Sequence, residues 1–255
     1  KIEQLKSVTL ADAKNFWQAY YGANYADVSL IGDFDADEVK AALQSKFGDW
    51  YAKKIYQRVP NPYHATSPQA LTEKVADKAN AFFAASMTLP LSDRHPDYPA
   101  LLLANYLLGG SPNARLSQRI RQKEGISYGV GSDLTVSATD DMGVFSVFAI
   151  FAPQNLNKLE KAMHEEMARA AEEGFSEVEI AEGKKSFLQH MQLARSQDNQ
   201  LISRRSRNLD LGRTMQYVAD VEKKILALDS NTVHAVLKKY LAYTKLVRAA
   251  AGDFK

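Results

Sequence analysis

Cysteine is absent from the 255 residues, which excludes a disulfide framework, a thiolate nucleophile and any cysteine-ligated zinc or iron–sulfur centre. Net charge is nearly absent too. Thirty-two basic residues against 30 acidic ones leave +2, so no global field draws the chain to nucleic acid or to an anionic surface. No apolar run approaches the roughly 18 residues that a membrane-spanning helix needs. The local signatures of a hydrolytic centre are missing as well. None of the five histidines, His64, His95, His164, His190 and His234, has the second histidine that H-x-x-E-H or H-E-x-x-H demands, and no serine stands in a G-x-S-x-G setting. The lack of cysteine suits the periplasm and the cytosol alike, so the compartment stays open. The start, KIEQLKSVTLADAK, reads as a polar helix rather than a signal peptide. The expectation is a chain that is either cytosolic or the processed interior of something longer.

What is present is a hydrophobic fraction of 45%, enough for a substantial core. TLADAKNFWQAYYG carries a Thr9-x-x-Asp12 capping box, apolar positions Ala13, Phe16, Trp17 and Tyr20 at helical spacing, and Gly22 as a stop. YADVSLIGDFD reads as a short buried strand ending at Gly32, and Asp35-x-x-Glu38 caps a helix running to about Phe47. From Asp49 to about Ala70 the apolar period vanishes while Pro60, Pro62 and Pro68 accumulate, the pattern of an extended connector. Residues 71–90 read as a core strand, and PALLLANYLLGG, apolar all round, as a buried helix. A short helix over 113–123 leads through Gly125 into ISYGVGSDLTVSA, which forms an antiparallel hairpin with MGVFSVFAIF. Beyond Pro153 helices follow, with Leu156, Leu159, Met163, Met167 and Ala170 on one face and further segments over 176–195, 197–211, 214–227 and 230–241. KLVRAAAGDF is the last strand.

The ending repeats the beginning. An offset of 220 residues places Gly32-Asp33-Phe34 on Gly252-Asp253-Phe254, Tyr20 on Tyr240 and Phe16 on Val236; four of 27 columns are identical, three of them together. Both copies read helix, strand, Gly-Asp-Phe, which points to a duplicated unit whose first copy is represented here by its tail.

Several motifs invite a chemical reading, and each has a plainer one. Glu160 and His164, one turn apart, could offer two metal ligands, as surface helices often do without binding anything. LLGGSPNARL lacks the phosphate-loop spacing and reads as a helix–helix turn. SRRSRNLDLGR reads as a solvated or lobe-facing surface rather than a nucleic-acid site. RIRQKEGISYGVGS remains. Arg121 ends a helix before Gly125, and Tyr128 begins the strand after it. Five fixed guanidinium donors and one hydroxyl suit a carbonyl or a developing oxyanion. The residues alone fit helix-end charge and half-buried strand packing better than a chemical site.

Three stretches resemble one known family, the pitrilysin or insulinase-type zinc peptidases (inverzincins), which include mitochondrial processing peptidase and noncatalytic relatives. They are TLADAKNFWQAYYGANYADVSLIGDFDADEVKAALQSKFGDW, YLLGGSPNARLSQRIRQKEGISYGVGS with its Leu-Gly-Gly, Arg-Leu and Arg-x-x-x-Gly-x-x-Tyr block, and LKKYLAYTKLVRAAAGDFK. The resemblance implies an α+β fold, a mostly antiparallel sheet packed with helices, forming one half of a duplicated clamshell. It divides the chain into 1–50, closing the preceding half; 51–70, a linker; and 71–255, the C-terminal domain. It implies that zinc sits in the facing half, with no metal ligand and no cofactor in this chain. Arg121 and Tyr128 then hold an extended peptide substrate. The implied partner is the metal-bearing half or subunit, with no nucleic acid and no membrane span. The alternative it leaves open is a noncatalytic scaffolding or assembly subunit. Ser111-Pro112-Asn113-Ala114 departs from the family's glycine- and serine-rich turn.

Overall fold

In the computed structural model, which describes residues 2–254, the described chain forms two compact units. One holds the residues up to 60 together with 193–216, the other 61–192 together with 217 onward. The outer ends of the sequence-derived segments, Lys1 and Lys255, lie outside the described residues.

The first unit begins with helices α1 (Ile2–Ser7), α2 (Leu10–Tyr20) and α3 (Ala36–Phe47). The capping box of α2 is made as its sequence predicts: Thr9 Oγ1 accepts from the Asp12 amide, and Asp12 accepts from the Thr9 amide at 2.9 Å. Asp35 caps α3 by accepting from the amides of Asp37 and Glu38. The strand expected over YADVSLIGDFD does not form. A single 3₁₀ turn, Ala23–Tyr25, leads into an extended run without ladder hydrogen bonds, and Val28, Leu30 and Ile31 are 54%, 53% and 40% exposed. An extended segment becomes a strand only beside a neighbour that receives its backbone groups, and this unit supplies none. The apolar face of α2 is bare as well, with Phe16 58% and Trp17 50% exposed.

In the second unit the alternating run becomes the middle of a sheet. The stretch 71–90 is two strands rather than one, β1 (Ala70–Lys74) and β2 (Ala81–Leu89), reversed through a turn where Asp77 has φ +58. β3 (Ser127–Val136) and β4 (Gly143–Phe151) form the expected antiparallel hairpin, and β5 (Val247–Gly252) enters between β1 and β2. The order is β1-β5-β2-β4-β3, antiparallel except for β1 beside β5.

Alternation assigns each strand two faces. Phe83, Met87, Phe145, Val147, Ala149 and Phe151 point into the core, all under 5% exposed. That face is covered by α4 (Tyr98–Leu108) and α5 (Leu156–Glu173), followed by α6 (Glu177–Arg195). After α7 (Asp198–Asp210), which belongs to the first unit, the chain returns with α8 (Gln216–Ala227) and α9 (Ser230–Tyr240). Leu101, Leu103, Leu159, Met163, Ile225 and Val233 are fully buried, and burying such a side chain contributes about 1.5–3 kcal/mol. The opposite face, carrying Phe82, Phe148 and Ile150, has none of this unit's described helices over it and leaves these side chains 48%, 41% and 41% exposed.

The internal repeat has a structural counterpart. Helices α2 and α9 begin and end 220 residues apart, as do their caps Thr9 and Asp229 and the 3₁₀ turns Ala23–Tyr25 and Tyr243–Lys245. The next residues of the second copy are β5, paired on both sides, whereas 27–32 of the first copy are unpaired. Val236, Leu237 and Tyr240 are buried on α9 at the positions where Phe16, Trp17 and Tyr20 are exposed on α2.

Arg115 ties the segment before β3 to α6. Its guanidinium donates to both Glu179 carboxylate oxygens at 2.7 and 2.9 Å and to the Gly174 carbonyl at 2.8 Å. Glu179 also completes a capping box with Ser176. The Arg115 hydrogen bonds, opposed by partial burial, lower the Glu179 pKa from 4.5 to about 2. A carboxyl held below its unfolded value stabilises the fold above that value and loses the contribution as pH falls through the folded one. With the side chain 36% exposed, solvent screening leaves about 1–2 kcal/mol. Between pH 4.5 and 2 the unfolding free energy of Glu179→Gln, from denaturant titrations, should therefore decline by about that much less than that of the unaltered chain.

Candidate functional site

The segment before β3 is wound more loosely than its sequence predicts. Ser117–Lys123 is a π-helical turn rather than a continuous α-helix over 113–123. The Glu124 amide donates to the Arg119 carbonyl five residues back at 3.0 Å, and the Ile126 amide to Ile120 six back at 2.9 Å. Such single π turns accommodate an extra residue and recur at functional sites. Gly125, at φ +61, then reverses the chain, a conformation that glycine alone adopts without strain.

Arg119 and not Arg121 anchors this turn. It donates to Glu124, donates to Glu165 at 2.7 Å and lies 4.0 Å from Glu166, which is 1% exposed and also accepts from Arg169. The hydrogen bonds to Glu124 and then to Glu165 raise the Arg119 pKa. Ile120 is fully buried beneath it. Arg121 is exposed, and no hydrogen bond or ion pair engages it among the described residues.

Tyr128 lies on the other side of Gly125. The register against β4 shifts between Ser127, opposite Phe151, and Gly129, opposite Ile150, so Tyr128 is the extra residue of a β-bulge. A bulge re-aims a side chain by stepping it out of the ladder, and Tyr128 is 72% exposed with no partner among the described residues. The 7%-exposed Ser127 hydroxyl closes the bulge. It accepts from the Gly129 amide at 3.2 Å and lies 2.7 Å from the Ile150 carbonyl and 2.8 Å from that of Gly129. The turn thus brings Arg121 and Tyr128 to the same end of β3 without a hydrogen bond or ring contact between them. Sequence reasoning passed over Ser127 and the Glu165–Glu166 pair, because a bulge register and a cross-helix ion pair exist only once strand and helix neighbours are chosen.

The competing motifs resolve into packing. Glu160 accepts from Arg248 at 3.4 Å, and the His164 ring lies 4.9 Å from that of Tyr243. Among the described residues no three histidine, aspartate or glutamate side chains are grouped to hold a metal, so the residues present do not form a zinc donor set. No helix among them is long and apolar enough to cross a membrane. LLGG is the close meeting of α4 with β3: the Gly109 carbonyl accepts from the Ser132 amide at 3.0 Å, and a side chain at Gly109 would stand 2.7 Å from that nitrogen.

A mostly antiparallel sheet with helices on one face, and two polar side chains left unengaged among the described residues where β3 begins, define an α+β domain. The chain belongs to the peptidase M16 inactive domain family, whose model matches residues 7–187. It is 26% identical to an uncharacterized zinc protease of Mycobacterium leprae over 92% of this chain and 52% of that protein. An uncharacterized zinc protease of Bacillus subtilis is 23% identical over 81% and 49%. The chain thus spans about half the length of these curated relatives. Among solved structures, a peptidase M16 inactive domain from Pseudomonas fluorescens superposes with a TM-score of 0.81 at 22% identity, covering 98% of this chain and 58% of that one. A protease from Helicobacter pylori gives 0.82 at 18%, covering 99% and 61%. These likenesses establish the fold, including its helix-covered, mostly antiparallel sheet.

Gly125→Ala should destabilise the chain by about 1–2 kcal/mol through its left-handed backbone alone, since a Cβ there meets nothing within 4 Å. Ser127→Ala should cost about 1–3 kcal/mol through the backbone groups it strands. Urea denaturation of the two variants measures both effects.

Proposed function

We propose that this chain is the C-terminal, substrate-holding part of a zinc-dependent metalloendopeptidase, inactive without the metal-bearing half or a partner subunit. The observation that carries this reading is the pair Arg121 and Tyr128, exposed and unengaged on either side of a turn held by Arg119, Gly125 and Ser127, in a chain of the inactive-domain family. Zinc belongs to the other half in this family, and metal chemistry is supplied there. The work of this chain is to bind and orient an extended peptide: the guanidinium fork and the phenol hydroxyl are donors to peptide carbonyls and to charge developing on one of them. Neither donor must first break an internal hydrogen bond. Nucleic acid and membrane have no place in this reading.

The same proposal covers the organisation of the chain. Residues 1–50 close the preceding half, 51–70 link, and 71–255 form the C-terminal domain. It is supported by the 220-residue register of α2 with α9 and by the bare α2 face and unpaired 27–32 run, which call for a covering layer like that around α9 and β5.

The purified chain should carry no stoichiometric zinc by metal analysis. In the full-length parent or reconstituted complex, Arg121→Ala should lower peptide turnover about 10²-fold to 10³-fold, and Tyr128→Phe should lower it in the same direction, with zinc content unchanged. Unaltered kinetics return the pair to helix-end charge and strand packing. A reconstituted parent that binds no zinc favours the scaffolding reading; one relative, in Helicobacter pylori, is named a non-peptidase homolog.

A further inference from the structure

Gly129 stands beside the bulge at Tyr128, yet neither a left-handed φ nor a close neighbour demands a glycine there. Its φ lies outside the left-handed range, which among the glycines is occupied by Gly32, Gly125, Gly174 and Gly212. A Cβ built on it meets nothing within 4 Å. Glycine weakens a strand, and where no bend or clash requires it the space commonly admits something that approaches from outside.

The register shows which space that is. Gly129 pairs with Ile150 and Ile150 with Phe82; Gly131 pairs with Phe148 and Phe148 with Ala84. Cross-strand partners share a face, so both glycines lie on the bare side of the sheet. At Gly131 the gap is filled, because the Phe148 ring stands 3.0 Å from where a Cβ would be. At Gly129 it stays open, bordered by Ile150, Phe148 and the bulged Tyr128. Along this face β2 contributes Phe82, Ala84, Ser86 and Thr88 and β4 contributes Val144, Ser146, Phe148 and Ile150, none of them ionisable; its carboxylates, Asp133 on β3 and Glu73 on β1, stand four residues along and four strands across from Gly129. The far end of the face is crossed by the connector: the Thr88 hydroxyl donates to the His64 carbonyl at 2.6 Å, and the Asn61 amide to Asp140 at 3.3 Å. The uncovered end is the one beside Tyr128.

We infer that the slot over Gly129, walled by Ile150, Phe148 and Tyr128, is a specificity subsite that takes a bulky apolar side chain of an extended peptide. It rests on the substrate-holding reading above and adds a side-chain preference to it. An aromatic or long aliphatic side chain seated there covers apolar surface that is now wet, while a charged one loses water and finds no partner on β2 or β4. The bulge couples the two functions, since the step that lifts Tyr128 out of the ladder also brings Gly129 opposite Ile150.

The test is fluorescence anisotropy with the 255-residue chain and two labelled, unstructured Ser/Gly/Lys peptides that differ only in a central Phe or Ser. The Phe peptide should bind at least about tenfold more tightly. Gly129→Val should abolish that preference without lowering the melting temperature, and Ile150→Ala should reduce it. Arg121→Ala should weaken both peptides equally, because it acts on the main chain. Equal binding of the two peptides, binding of neither, or a preference that survives Gly129→Val overturns the subsite. A Phe preference that persists while Arg121→Ala changes nothing leaves the subsite standing and removes the main-chain hold.

Discussion

Everything in the second unit depends on one constraint: a five-stranded sheet whose helices all lie on one face. Phe83, Phe145 and Phe151 bury themselves completely in the core shared with α4 and α5, and that burial is the main source of the unit's stability. The other face is left without helices, so Phe82, Phe148 and Ile150 meet solvent at the end where Tyr128 emerges. A bare, apolar sheet face is unfavourable in isolation and useful beside a peptide-holding pair. The stability of the layer and the availability of the face have the same origin.

The repeat illustrates how context decides what equivalent segments become. After α9, residues 247–252 receive hydrogen bonds from β1 and β2 and are strand; after α2, residues 27–32 follow the same 3₁₀ turn and have no strand neighbour. Their apolar residues explain why the sequence reads as a buried strand. What it lacks is a partner, and partners are not written in the segment itself. The same reasoning separates Phe16 and Trp17, exposed, from Val236 and Leu237, buried.

In the candidate site, the parts that depend on neighbours in sequence were readable. Gly125 after a charged helix end and before an alternating run marks a helix-to-strand turn, and Arg121 and Tyr128 are its two polar side chains. The π winding, the bulge, the Arg119–Glu165 anchor and the vacancy beside Gly129 were not readable. Apart from the π winding, each is a relation between residues far apart in the chain, such as Ser127 with Ile150 or Arg119 with Glu165. Nothing in the sequence marks Arg119 as an anchor; the carboxylates of α5 distinguish it from Arg121.

By itself the sequence determined the helices, their caps and the strand faces, because these rest on hydrogen bonds within a few residues and on periods of 3.6 and 2. Thr9 with Asp12 and Asp229 with Thr232 would cap their helices in almost any surroundings. Tertiary structure alone decided which strands pair, which extended run goes unpaired, where the ladder slips by one residue and which sheet face stays bare. Those outcomes turn on long-range contacts, whose free energy belongs to pairs of segments and to neither segment alone.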